Sequence, residues 1–304
     1  MPIVEHSDNK SLNIIVTGAT SLIGYFLLPR LRATGYTVHP FSRSRGHTGS
    51  EEWHHYNGSL LDAIPPIHNA KILIHLGPLH VLPKIIDEFP TLGGKQVIAF
   101  SSTSRFSKLK SGTHSERQMA QELISAEETV ASKCTEHKIA WTIFRPTLIY
   151  GAGLDKNISS ITRFIKRFGF FPLVGNGTGL RQPVHADDLA AACLMVINNK
   201  KTFNQSYDLI GGETLSYKEM VERVFIALNK KPRFISVPLS LFRKVMKCAS
   251  LLPAYSHITP DMANRMNHPL CFDSQKAIND FGYKNRGFTP QKDDLDPTLN
   301  YARL

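Results

Sequence analysis

The stretch Leu12-Asn13-Ile14-Ile15-Val16-Thr17-Gly18-Ala19-Thr20-Ser21-Leu22-Ile23-Gly24 decides how the rest of this chain reads. An apolar run suited to a buried parallel strand leads straight into a glycine turn, and the turn opens a helix. A helix N-terminus offers free N–H groups and the positive end of the helix dipole, which together receive a dinucleotide pyrophosphate. In this reading Gly18 supplies the tight turn, and Gly24 lets the helix pack closely on the strand. Ser21 takes the place of the middle glycine. Its Cβ keeps the backbone slightly further from the phosphates, while its hydroxyl can donate to one of them.

Downstream, strand and helix patterns alternate. Apolar runs at 13–16, 37–41, 71–76, 96–100 and 141–144 read as successive buried strands, the first helix spans 22–33 and stops at Gly35, and a longer helix spans about 115–136. This βαβ alternation implies an α/β fold with a doubly wound parallel sheet. After Gly151 the texture changes to Gly- and Pro-containing loops and short helices, with returns toward the sheet near Val184 and at 207–210. Residues 11–150 together with about 182–212 therefore read as the dinucleotide-binding unit. Residues at about 151–181 and 213–304 read as a smaller, mainly helical lobe over the carboxyl ends of the strands, where ligands of open α/β sheets bind.

The chain has 304 residues, 42% of them hydrophobic, enough to bury a large core. Its first ten residues are polar and mixed in charge, unlike a secretory signal, and its longest apolar run, 189–197, is too short to span a bilayer. The four cysteines (Cys134, Cys193, Cys248, Cys271) are scattered, which suits small core residues of a reduced cytoplasmic protein and implies neither a disulfide framework nor a metal site.

The formal charge of +11 is concentrated at Arg163, Lys166 and Arg167, and again at Lys230, Lys231, Arg233, Arg243, Lys244 and Lys247. An anionic nucleotide substrate and an acidic membrane surface both fit this excess, as does a plainly solvated basic face. Nucleic acid does not, because no helix-turn-helix, zinc-finger or RNA-recognition pattern accompanies it. Residues 237–252 form a basic amphipathic pattern with Leu239, Phe242, Val245, Met246 and Ala249 on one helical face. Core packing and peripheral attachment to the inner face of a membrane are the two fates open to it.

Four motifs then occur in order: the glycine turn at 17–24, the strand end Ile98-Ala99-Phe100-Ser101-Ser102-Thr103-Ser104, the run Phe144-Arg145-Pro146-Thr147-Leu148-Ile149-Tyr150-Gly151, and Arg181-Gln182-Pro183-Val184-His185-Ala186-Asp187-Asp188-Leu189. Together they resemble the extended short-chain dehydrogenase/reductase superfamily, specifically its NAD-dependent epimerase/dehydratase group acting on nucleotide sugars. The likeness runs over about residues 11–212 and more loosely to about 290. It implies a Rossmann-type sheet, a nicotinamide cofactor and a nucleotide-sugar substrate, with the superfamily's homodimer as a further implication.

The resemblance places the cofactor against Thr17, Gly18, Thr20, Ser21, Leu22, Ile23 and Gly24, then Ser42 and Arg43, Leu76, Gly77 and Pro78, and finally Ser101, Ser102 and Pro146. The second strand ends His39-Pro40-Phe41-Ser42-Arg43-Ser44-Arg45, without the acidic residue that would bind the adenosine ribose hydroxyls. Arg43 and Ser42 suit a 2′-phosphate, so NADP is preferred over NAD. Gly58-Ser59 stands where the family has Gly-Asp.

For catalysis the family uses a Ser/Thr at the fifth strand's end and a Tyr-x-x-x-Lys pair on the next helix. Thr103 fits the first position. The pair is missing: its places fall near Met119–Ala120 and Leu123–Ile124, and no tyrosine lies between Tyr56 and Tyr150. Glu116, His114 and Tyr150 are the candidate substitutes, although Glu116 and Arg117 equally make an ordinary helix-start ion pair. On the substrate side the resemblance assigns Arg181 to a diphosphate, with Tyr150 and Asn157 nearby, while His185 and Asp188 knit the returning strand to its helix. Leu148 replaces a substrate-contacting asparagine. The expected function is an NAD(P)-dependent oxidoreductase or epimerase of a nucleotide-activated sugar with an atypical active site. The alternative is a non-catalytic NADP-binding scaffold or redox-sensing subunit.

Overall fold

A computed structural model describes residues 12–43, 53–62, 66–238 and 266–299. Seven parallel strands form the main sheet: β1 (Asn13–Thr17), β2 (Thr37–Ser42), β3 (His54–His55), β4 (Ala70–His75), β5 (Gln96–Phe100), β6 (Ala140–Pro146) and β11 (Gln205–Leu209). Their order is β11-β6-β5-β4-β1-β2-β3, so the winding direction reverses between β1 and β4. Ile14, Ile15 and Val16 are fully buried because helices cover both faces of the sheet.

On one face, α1 (Leu22–Ala33) packs beside α6 (Ala186–Val196), joining Leu27, Leu31, Leu189 and Val196 to the sheet residues Ile14 and Ile74. On the other, α2 (Leu82–Glu88) and α4 (His114–Glu136) bring Ile85, Ile86, Val130 and Cys134 against Leu73 and Val97. The short α3 (Ser104–Ser107) follows β5. Both expected long helices are present, α1 over the anticipated residues and α4 starting one residue earlier.

Beyond β6 the chain builds a third core around Ile158, Ile161, Ile165, Phe225 and Phe288. The chain there forms α5 (Ile158–Phe168), α7 (Tyr217–Ala227), α9 (Lys292–Leu295) and three two-stranded ribbons, while α8 (Gln275–Phe281) packs beside β11 with Ala277 in the first core. The ribbons pair β7 (Ile149–Tyr150) with β10 (Val184–His185), β8 (Phe171–Val174) with β13 (Phe234–Val237), and β9 (Leu180–Arg181) with β12 (Leu215–Ser216). The anticipated return near Val184 is thus corrected: Val184 pairs with Ile149, and the main sheet is rejoined only at β11.

From residue 239 onward the basic amphipathic pattern at 237–252 lies outside the described residues, as do Cys248, Ser44, Arg45 and the polar first ten residues. Among the described residues, no helix is long and apolar enough to cross a membrane.

Candidate functional site

The reversal point between β1 and β4 is built around glycine. Gly18 has φ +70°, and a Cβ placed on it would lie 2.7 Å from the Gly77 nitrogen and 2.9 Å from the Leu76 carbonyl carbon. At Gly24 a Cβ would lie 2.1 Å from the Ala19 carbonyl oxygen. The two loops therefore approach at a distance that only glycine permits. Leu76 N–H donates to the Thr17 carbonyl (2.8 Å), locking the loop after β4 to the end of β1.

His75 completes that lock and was not foreseen from the sequence. Its Nε2–H donates to the Pro78 carbonyl (3.1 Å), which leaves Nδ1 to accept from the Thr17 hydroxyl (2.8 Å). Burial pushes its pKa down to about 4, so the ring is neutral at physiological pH.

Ser21 caps α1: its hydroxyl oxygen accepts from Gly24 N–H (3.2 Å), and the first turn of the helix carries no acidic residue. The hydroxyl proton and the first-turn N–H groups of Leu22 and Ile23 remain the donors an anion would meet there. Thr20 and Ser42 are joined through their hydroxyls (3.1 Å), fixing the glycine turn to the end of β2, and Arg43 follows as an exposed side chain. Pro78 is exposed at the opposite rim. These residues fit a dinucleotide: a backbone cradle that one added carbon would fill, at a helix N-terminus free of negative charge.

The ends of β5 and β6 are tied to one another. Thr103 donates both its N–H (3.2 Å) and its hydroxyl (3.1 Å) to the Pro146 carbonyl. In this arrangement the Thr103 hydroxyl donates to the backbone. Ser102 accepts from Ser104 N–H (3.1 Å), and Ser101 donates to Glu127 Oε1 (2.5 Å).

Glu127 is the hub that sequence reasoning missed. It lies buried on α4, takes a forked contact from Arg145 (Nε 3.0 Å, Nη2 2.7 Å) and pairs with Arg105. A carboxylate on the buried stripe of a helix and an arginine inside a buried strand were the available signals.

The expected substitutes for the missing pair are positioned differently. His114 is exposed at the start of α4. Glu116 is buried, accepts from the Ser111 hydroxyl (2.8 Å) and has the Lys108 ammonium 3.9 Å away. The anticipated Glu116–Arg117 ion pair is not formed, because Arg117 donates to the carbonyls of Ser111 (2.6 Å) and Gly112 (3.0 Å). Met119 is exposed, Leu123 is half-buried, and Lys108 Nζ lies 3.0 Å from Met119 Sδ.

Of the residues expected to touch substrate, Arg181 is buried, with Nη1 donating to the carbonyls of Leu180 (2.6 Å) and His268 (2.9 Å) and its guanidinium 5.6 Å from the Tyr217 ring centroid. Tyr150 packs inside the lobe. It is 1% exposed, its ring meets His185 and Phe288 edge-on, and burial drives its pKa up. Asn157 is exposed at the start of α5, its N–H donating to Asp155, whose carboxylate also binds Ser159.

His185 and Asp188 do knit the structure. His185 caps α6 by accepting from Asp187 N–H (3.1 Å) and bonds Asp294 (2.8 Å), while Asp188 receives the Arg286 N–H (2.9 Å) and Nε (2.7 Å).

Comparison with known proteins agrees with this geometry. The model of the NAD dependent epimerase/dehydratase family matches residues 79–209. A subunit of the Arabidopsis thaliana mitochondrial NADH dehydrogenase (1 alpha subcomplex subunit 9) is 29% identical over 134 residues, 44% of this chain and 32% of that protein. A Vibrio cholerae UDP-glucose 4-epimerase is 26% identical over 118 residues, 39% of this chain and 36% of that protein. These matches span only about a third of the length of each curated relative.

Among solved structures, MoeE5 in complex with UDP-glucuronic acid and NAD superimposes with a TM-score of 0.70 at 17% identity, covering 96% of this chain and 100% of that one. A Thermotoga maritima UDP-glucose 4-epimerase with UDP-glucose gives 0.68 at 16% identity, covering 96% and 99%. Residues 79–209 of the chain are thus similar to the NAD dependent epimerase/dehydratase family, on a fold shared with these solved structures.

Proposed function

We propose that this chain binds NADP, in preference to NAD, over the ends of β1 and β4 and acts as an oxidoreductase or epimerase on a nucleotide-activated sugar. The observation that carries the reading is the contact between Gly18 and Gly77, where an added Cβ would lie 2.7 Å from backbone. The first-turn N–H groups of α1 hold the pyrophosphate in this proposal. Arg43 takes the 2′-phosphate, supported by its exposure beside the Thr20–Ser42 link and by the lack of any carboxylate among residues 37–43. The nicotinamide, when bound, gives or takes a hydride. The proton that accompanies it has no Tyr–Lys pair to carry it, which makes the acid–base chemistry atypical. The lobe from residues 151–181 and the later part of the chain takes the sugar side. The UDP-sugars held by the structural relatives support a nucleotide-sugar substrate.

A second reading, an NADP-holding scaffold or redox-sensing subunit without turnover, is favoured by one observation. The Thr103 hydroxyl donates to the Pro146 carbonyl, while Met119 and Leu123 stand where the resemblance places tyrosine and lysine. The name of the Arabidopsis relative, a subunit of a larger dehydrogenase, agrees with it.

A nicotinamide-fluorescence titration with NADPH and NADH, repeated with UDP-, GDP- and dTDP-sugars, tests both readings. Tight NADPH binding that one nucleotide sugar strengthens or consumes supports the enzyme. NADPH binding indifferent to every sugar supports the subunit, and failure to bind either dinucleotide overturns both.

A further inference from the structure

Two basic stretches more than sixty residues apart in sequence meet on one face of the lobe. The last two turns of α5 carry Arg163, Lys166, Arg167 and Phe168; the connection from α7 to β13 carries Lys230, Lys231 and Arg233. Pairing of Phe171 with Phe234, and a hydrogen bond from Phe171 N–H to the Arg233 carbonyl (2.8 Å), hold the connection against the end of α5. Lys230 Nζ reaches the Ile165 carbonyl at 3.5 Å. All six cations are exposed. Lys166 is neutralised by Asp296 at 2.7 Å, whereas among the described residues no carboxylate pairs with Arg163, Arg167, Lys231 or Arg233.

The same face carries apolar groups. Phe168 is 47% exposed, and Ile235 on β13 is 49% exposed. The Phe168 ring is held by Phe164, with centroids 4.6 Å apart, and the Arg167 guanidinium lies 5.4 Å from its centroid. Exposed aromatic and aliphatic side chains ringed by unpaired cations are unfavourable in water on the first count and self-repelling on the second. An anionic bilayer surface relieves both, since the ring enters the headgroup boundary while the cations meet phosphates. A nucleic-acid strand of equal charge would need open ring faces for base stacking, and the guanidinium of Arg167 already covers one face of Phe168.

We infer that this face, formed by the end of α5 and the α7–β13 connection, docks the protein on membranes rich in anionic phospholipid. The proposal is independent of the cofactor site.

Co-sedimentation of the full chain with vesicles of phosphatidylcholine, alone or mixed with phosphatidylglycerol, tests it. The expected result is binding only to the phosphatidylglycerol vesicles, weakened by added salt. The combined variant Arg163→Gln, Arg167→Gln, Lys231→Gln, Arg233→Gln should bind roughly a hundredfold or more weakly at unchanged melting temperature, at roughly fivefold per cation. Phe168→Ser should weaken binding about tenfold while leaving its salt dependence in place. Absence of binding, equal binding to pure phosphatidylcholine, or full retention by the combined variant would each overturn the proposal. So would tighter binding to an RNA oligonucleotide that the combined variant loses.

Discussion

Thr17 Oγ1 and His75 Nδ1 lie 2.8 Å apart at the ends of neighbouring strands, with the histidine ring packed beneath Gly77. This one hydrogen bond couples the glycine turn to the loop across the reversal point, so the two walls of the proposed dinucleotide site are positioned by the same neutral ring.

Acid should therefore weaken the fold through His75. Its pKa sits at about 4 in the folded chain against 6.5 when exposed, because burial disfavours the imidazolium. Below the exposed value the unfolded chain binds the extra proton and the folded chain does not. Stability is thus fully present above pH 6.5 and falls as the pH drops toward 4. The slope is at most about 1.4 kcal/mol per unit, on the order of 3 kcal/mol across that window. Urea denaturation of wild type and His75→Gln at several pH values should show this loss in the wild type and not in the variant.

Glycine substitutions separate binding from folding. Gly24→Ala pushes a methyl group into the Ala19 carbonyl inside the packed first turn and should destabilise the fold by about 1–3 kcal/mol or more. Gly18→Ala forces a positive φ on alanine and separates Gly18 from Gly77. It should lower NADPH affinity roughly tenfold or more, for a strain of about 1–3 kcal/mol. Chemical denaturation reads the first, and fluorescence titration the second.

Removing the Glu127 carboxylate takes from Arg105 its ion-pair partner, leaves Arg145 only the Asp208 carboxylate 3.8 Å away, and leaves Ser101 without its acceptor. Glu127→Ala should cost about 3–5 kcal/mol, the usual penalty for breaking one side of a buried ion pair. Glu127→Gln keeps an acceptor for Ser101 and should lose less. Thermal and urea denaturation of both variants checks the ranking.

Arg43→Glu should invert the cofactor preference. An exposed guanidinium replaced by a carboxylate loses its contact with a 2′-phosphate and gains one to ribose hydroxyls. NADPH affinity should fall by about 1.5–3 kcal/mol, roughly ten- to a hundredfold, while NADH affinity holds or rises. Equal losses for both dinucleotides would count against the 2′-phosphate assignment.

Long periodic elements were legible in the sequence because their pattern is repeated many times. The bounds of α1 follow from Ser21, the apolar spacing and Gly35, and the main-sheet strands before residue 147 other than His54–His55 each follow from a continuous apolar run. Two-residue ribbons carry no period, which is why the pairing of Ile149 with Val184 and the short strand at His54–His55 were not anticipated.

The site was legible at the glycines, where backbone geometry demands a residue type. It was less so at side chains whose partner lies far along the chain. Nothing in the sequence around Arg181 signals that the carbonyl of His268, 87 residues later, accepts from it. Likewise, Glu127 is one more helix glutamate until β5 and β6 bring Ser101 and Arg145 beneath it.

The last strand of the main sheet, β11, is reached only after the chain has built α5, four ribbon strands and α6. A nascent chain on the ribosome therefore presents β6 with an unpaired backbone edge for some sixty residues of further synthesis. That interval leaves the β6 edge open to pairing with other chains, which puts the middle of the chain in need of shielding during synthesis.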